Sequence, residues 1–441
     1  MKKTALIFFF FTFYSVLLNA QNKADALLKE GNSFIVKKEY EKALDNFNKV
    51  IKMQPANADA YYGRGVTQAS MSKFNDAVED YTKALKYNPK KTEAYINRGS
   101  AYSELFEYSK ALQDYTKAIE LNPKMAEIYN NRGYLFSVQN MHPDAIKDFE
   151  KAISINPKYS RAYINKAYSF SVLGNHDLSI ETLTKLIAVQ PTFSSAYFNR
   201  AMEYKEIGDT KNALKDFDKG LELEPDETSI RFLRATMRDD TGDDLGAIED
   251  CNTLIKIDST NPKAYYTRAR AEYDLPNYMA VADDCSKAIK LRKDYWEAYI
   301  LRGNAYDFLN RYEEALKDYN RAIDLNPKST EAYDQRSIAR LAKNDLSGAL
   351  SDLSRALMIE PNNIALLEKR AILRAASKDT KGAIDDYSHI ITLDAKNAKA
   401  FLGRAELLVQ EGNKELACED YKQAEKLGNG TAISKRIFNC N

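Results

Sequence analysis

From Thr92 to Met125, apolar residues recur at helical spacing through TEAYINRGSAYSELFE and again through YSKALQDYTKAIEL, with a break near Glu107. The pattern predicts a helix, a turn and a second helix. It then returns. Pro55, Pro89, Pro123, Pro157, Pro191 and Pro225 stand 34 residues apart, and Pro327 and Pro361 keep the same count. Six residues after the proline position come Tyr61, Tyr95, Tyr129, Tyr163 and Tyr197, and the metre runs on to Tyr265, Tyr299 and Tyr333. Small residues keep time as well: Gly65, Gly99, Gly133, Ala167, Ala201, Ala269 and Gly303 in the first segment, and Ala77, Ala111, Ala145 and their successors in the second. Small side chains at fixed places on paired helices mark where two helices cross closely. A single helix pair cannot bury its apolar faces alone and must stack on its neighbours, so the repeat is the unit of reading. Counting by 34 from Ala24 gives twelve units, the last ending at Thr431, with 432–441 left for a C-terminal cap. The expected fold class is all-α, an α-α superhelical solenoid of about twelve 34-residue helix-turn-helix repeats.

Tyr95, Gly99, Tyr102, Ala111, Tyr115, Ala118 and Pro123 match the tetratricopeptide repeat consensus position for position, so the chain resembles a tetratricopeptide solenoid. The resemblance covers 21–431 in units 24–57, 58–91, 92–125, 126–159, 160–193, 194–227, 228–261, 262–295, 296–329, 330–363, 364–397 and 398–431. Units 228–261 and 262–295 lose the expected prolines to Ser259 and Lys293, and Arg231 and Arg238 replace aromatics. Looser packing is expected there, without a domain boundary.

Three residues after the tyrosine position, where the family pattern favours Leu, stand Arg64, Arg98, Arg132, Arg200, Arg234, Arg268, Arg302, Arg336, Arg370 and Arg404. Sixteen residues further on in the same units come Asp80, Asp114, Asp148, Asp216, Asp250, Asp284, Asp318, Asp352, Asp386 and Asp420. Unit one instead has Glu30 with Asn46, and unit five has Lys166 with Thr182, so the two positions change together. Covariation among copies predicts contact between the two helices of a unit, where the planar guanidinium fork can hold both carboxylate oxygens. A structural role is expected for this series.

Composition narrows the chemistry. Hydrophobic residues at 44% and charged residues at 29% suit a folded soluble chain. Lys plus Arg at 64 against Asp plus Glu at 63 leaves no basic excess for phosphate backbones, so no nucleic acid partner is expected. With 3 His, 4 Cys and no CxxC there is no zinc framework. No phosphate loop, paired catalytic carboxylates or metal-ligand cluster is found, so no catalytic residue, cofactor or metal is expected and the chain is expected not to be an enzyme. Cys251 and Cys285 share a core position where Phe or Tyr usually sits, and a disulfide between Cys418 and Cys440 is left open.

Lys2 and Lys3, the apolar run from Ala5 to Leu18, and Ala20 before Gln21 read as a secretory signal peptide over 1–20. The apolar run is short of the ~20 residues of a spanning helix, with an uncleaved anchor as the alternative. The mature chain is therefore expected to be exported, periplasmic rather than secreted, with no membrane insertion after signal removal.

The family binds peptide segments or partner proteins in the concave groove lined by its first helices, so the resemblance implies a non-enzymatic protein- or peptide-binding scaffold, and the short, Lys-started leader points to the bacterial cell envelope. A structural or self-assembling envelope component without a peptide ligand is the alternative. Asn97, Asn131, Asn165 and Asn199 follow the tyrosine position by two in four successive units, on the face the family turns toward the groove. They resemble the asparagine ladder in the peptide-binding superhelix of O-linked N-acetylglucosamine transferase. An amide both donates and accepts, so it can pair with the backbone of an extended peptide. Tyr134, Tyr168 and Phe198 are expected to add apolar contact. Asp239 and Asp240 fall on groove positions in an acidic stretch where a basic segment could be steered.

Overall fold

The computed structural model describes residues 21–440, and the expected signal peptide over 1–20 lies outside them. Helical residues 21–36 pair with Tyr40–Met53, Ala58–Ser70 pairs with Phe74–Tyr87, and the pairing recurs every 34 residues to Ala398–Gln410 with Lys414–Lys426. Gly430–Cys440 closes the described chain, and no strand occurs among the described residues. The architecture is all-α, with consecutive helix pairs stacked as a solenoid.

The break inside each unit has a local cause. The second residue after the first helix takes a left-handed conformation, at Phe106 with φ 59° and at Gly208 with φ 76°. This reverses the chain and lets the next amide turn back on the helix just ended, as when Glu107 N–H donates to Tyr102 C=O at 2.8 Å. Asp209, Asp243, Asp345 and Asp379 then cap the second helix by accepting from the amide three residues on.

The core lies between the two helices of each pair. Tyr81, Tyr115, Phe149 and Tyr319 are buried against Gly65, Gly99, Gly133 and Gly303 of the partner helix. At Gly303 an added Cβ would stand 2.6 Å from the Tyr319 ring, so only a hydrogen fits there. Each such ring contributes about 1.5–3 kcal/mol of burial. Cys251 and Cys285 are fully buried at the ring position, and Cys285 packs with Ala269 in one cluster.

All ten expected Arg–Asp pairs form, each with Nε and Nη2 donating to the two carboxylate oxygens. For Arg302 and Asp318 both distances are 2.7 Å, and the Asp side chain is 8% exposed. Glu30 accepts from Asn46 at 3.0 Å in the first unit. The remaining nitrogen, Nη1, reaches the preceding second helix, where Arg302 donates to Ser286 at 2.9 Å and Arg98 to Thr82 at 3.0 Å. Where Lys166 stands in place of Arg, that preceding position is Glu150, and the two pair at 2.8 Å.

The described residues divide into two units, one ending at Asp226 and the other beginning at Glu227. The boundary falls at the start of the weak copy 228–261, where no boundary was expected. In its first helix, Thr228–Asp240, Ala235 and Met237 are the buried apolar residues, while Arg231, Arg234 and Arg238 all converge on Asp250. Guanidinium groups there occupy space that aromatic rings fill in other copies. Within the second unit Cys418 and Cys440 form a disulfide, with their Cα atoms 5.8 Å apart, tying Gly430–Cys440 to Lys414–Lys426.

Candidate functional site

In each unit, successive first helices touch one another as well as their own partners, and they approach more closely than successive second helices do. The first helices therefore form the inner side of the stack. In the first unit this face carries a hollow of about 390 Å³ lined by Tyr134, Ser137, Val138, Ile164, Asn165, Tyr168 and Asn199. Tyr134 and Tyr168 are 54% and 60% exposed, which leaves two ring faces open to an incoming group. A second hollow of about 320 Å³ is shared by Asn131 and Tyr134 with Glu104, Glu127 and Arg161, and a third, of about 340 Å³, includes Asn97.

The four asparagines are not equivalent. Asn97 donates to the Tyr62 hydroxyl at 3.0 Å and Asn165 to Asn130 Oδ1 at 3.0 Å, each reaching back 35 residues to the preceding repeat. The residue at that place behind Asn131 is Ile96, and behind Asn199 it is Ile164, and neither offers an acceptor. Asn199 instead donates to its own Ser195 carbonyl at 2.7 Å, and Asn131 receives a long 3.4 Å bond from Asn130. Asn131 and Asn199 thus spend no side-chain bond on a neighbouring repeat.

Phe198 does not face the groove. It is 7% exposed, because Gly220 on the partner helix leaves room for the ring to turn inward. Asp239 is likewise buried, at 5% exposure, and burial pushes its carboxyl up to about 6. Arg270 Nη2 stands 3.0 Å from Asp239 and 2.8 Å from Asp240, so the expected acidic landing point already holds an internal cation. Asp240 stays exposed.

Other groups were not singled out from the sequence. Tyr266, Tyr273, Asp274, Glu297, Asn304 and Glu331 line a hollow of about 300 Å³ on the inner face of the second unit. Glu297 and Glu331 stand two residues before Tyr299 and Tyr333, so reading that column of the repeat would have found them. His142 is buried edge-on to Tyr168, His176 contacts Glu203 at 2.9 Å, and His389 contacts Asn362 at 3.2 Å. No helix among the described residues is long and apolar enough to cross a membrane.

The Tetratricopeptide repeat family model matches residues 58–91, 92–125, 126–159, 194–227 and 296–329, a second model of that description matches 160–193, and a TPR repeat model matches 31–72. Together they cover more than half of the chain. No protein of curated function matches. Among solved structures, the C-terminal part of a TPR repeat-containing protein from Cytophaga hutchinsonii is 20% identical, with a TM-score of 0.47 over 56% of this chain and 98% of that one. A tetratricopeptide repeat protein from Parabacteroides merdae is 23% identical, with a TM-score of 0.41 over 64% and 99%. Yeast Tom70 is 18% identical, with a TM-score of 0.42 over 95% and 96%. With the two Tetratricopeptide repeat models in register with its helix pairs, and the three models together covering more than half of it, the chain belongs to the tetratricopeptide repeat family.

Proposed function

We propose that the chain is a non-enzymatic scaffold of the bacterial cell envelope that holds an extended peptide segment along the inner face of its first unit. The observation that carries this reading is the hollow where the exposed rings of Tyr134 and Tyr168 meet Asn165 and Asn199. An open aromatic face gives apolar contact at little conformational cost, and amides beside it can bond a peptide backbone without reading its side chains. First helices packed ~8–10 Å apart space their side chains at about three residues of extended peptide, each reaching ~3.3–3.6 Å.

The envelope location rests on the leader-like first twenty residues and gains support from the Cys418–Cys440 disulfide, since such bonds persist in oxidising compartments. Affinity capture with the mature chain from an envelope fraction of its host tests both parts. The recovered chain is expected to begin at Gln21, and its partner to be lost on combined Asn131→Ala, Tyr168→Ala and Asn199→Ala with unchanged circular dichroism. Full partner recovery by that variant, or a chain that still begins at Met1, would contradict the corresponding part.

A further inference from the structure

The hollow of about 300 Å³ in the second unit is built by three consecutive first helices, Pro262–Asp274, Trp296–Phe308 and Thr330–Ala342. Tyr266 and Tyr273 supply aromatic surface, and Asp274, Glu297 and Glu331 supply three carboxylates. None of these three has an ion-pair partner among the described residues, and Glu297 Oε2 is buried without a hydrogen-bond donor. Arg270, which also lines the hollow, is held by Asp239 and Asp240. Asp334 nearby is held by Lys369 at 2.7 Å. Partial desolvation raises the Glu331 carboxyl although its side chain is exposed, and Asp334 and Glu297 push it the same way. Three like charges around one cavity repel each other, and a cation placed among them relieves that repulsion.

The chain contains its own control. Five repeats earlier, the positions of Asp274, Glu297 and Glu331 are Glu104, Glu127 and Arg161, and all three line one hollow of about 320 Å³. In that copy the third position brings a guanidinium into the cavity. In the second unit the same position brings another acid, and the one guanidinium lining the hollow, Arg270 at the place of Ser100, is engaged by Asp239 and Asp240. The cavity wall is also suited to a cation, since ring faces attract positive charge and carboxylates beside them add charge-assisted hydrogen bonds.

We propose that this hollow receives a basic side chain, Lys or Arg, from a peptide lying along the inner face of the second unit. The proposal rests on the reading of the inner face as a peptide site, and it assigns the specificity of that site to charge. It also moves the acidic determinant away from Asp239 and Asp240, which are internally paired, to Asp274, Glu297 and Glu331.

A random peptide library displayed on phage, panned against the full mature chain and against its Glu297→Gln/Glu331→Gln variant, tests it. Neither side chain makes an internal bond, so the variant keeps the fold. The wild-type chain is expected to select peptides with Lys or Arg at one fixed place, and the variant to lose that preference. A selected Arg peptide remade with citrulline, equal in shape and uncharged, should bind the wild type at least tenfold more weakly and bind the variant as well as the Arg peptide does. Selection of neutral peptides by the wild type, equal binding of citrulline and Arg peptides, or an Arg preference retained by the variant overturns the charge proposal and leaves the peptide site standing. Selection of no peptide at all overturns both.

Discussion

Asp239 shows how one residue can be placed by its repeat and then diverted by a neighbour. Its position in the 34-residue register put it on the inner face, but the register does not say which side chain one repeat on will meet it. Arg270 does, and the buried carboxyl is raised from 3.8 to about 6 by desolvation, which outweighs the Arg270 charge. In the unfolded chain an Asp titrates near 3.9. The folded chain therefore holds its proton more tightly, so this group's contribution to stability is fully present below about pH 4 and is lost as pH rises through about 6. Asp239→Asn cannot ionise, and Asp240 still holds Arg270. The melting temperature of the variant relative to wild type is expected to rise between pH 4 and pH 7.5, and a difference that stays flat with pH would contradict this. Phe198 has the same lesson in apolar form. Its inward turn depends on Gly220, 22 residues away in the partner helix, where the aligned residues Ala118 and Ala152 would crowd the ring.

Helix pairs and the pairing of Arg with Asp were legible because the same columns recur in many copies, so that Lys166 with Thr182 and Glu30 with Asn46 stood out as matched exceptions. The third prong of each Arg was in the sequence as well: Thr82, Thr116, Thr184, Asn252 and Ser286 recur sixteen residues before the next Arg, and Glu150 replaces them where Lys166 follows. Arg98, Arg132, Arg200, Arg268 and Arg302 thus each fasten their own first helix to their own second helix and to the second helix before it. Truncating Arg302 to Leu strands the Asp318 carboxylate, 8% exposed, while the Ser286 hydroxyl keeps its bond to the Ala282 carbonyl. Breaking one side of a buried pair costs about 3–5 kcal/mol, whereas replacing both partners by apolar groups is often close to neutral. Denaturant unfolding should therefore show Arg302→Leu to be less stable than Arg302→Leu with Asp318→Leu. Equal stability of the two variants would mean that the pair does not act as a unit.

At the scale of the whole chain, repeats contact mainly their neighbours, so each segment of inner face keeps the character of its own copies. The first unit presents exposed tyrosines with amides, and the second presents carboxylates with tyrosines. The boundary between units was not legible, since the helix metre runs through 228–261 and only the arginines that displace its aromatics mark the change. The location of a ligand was legible only to the level of a helix face, because groove side chains answer to a partner and not to the packing that enforces the repeat. Site-specific photocrosslinking tests the central claim most directly. A benzophenone amino acid placed at Tyr168 on the inner face, or at the exposed Lys151 of a second helix, is irradiated in the native host and the adducts are resolved by mass. The account predicts a discrete peptide or protein adduct from position 168 and none from position 151. An adduct from position 151 with none from position 168 would place the binding surface on the opposite side of the solenoid and contradict it.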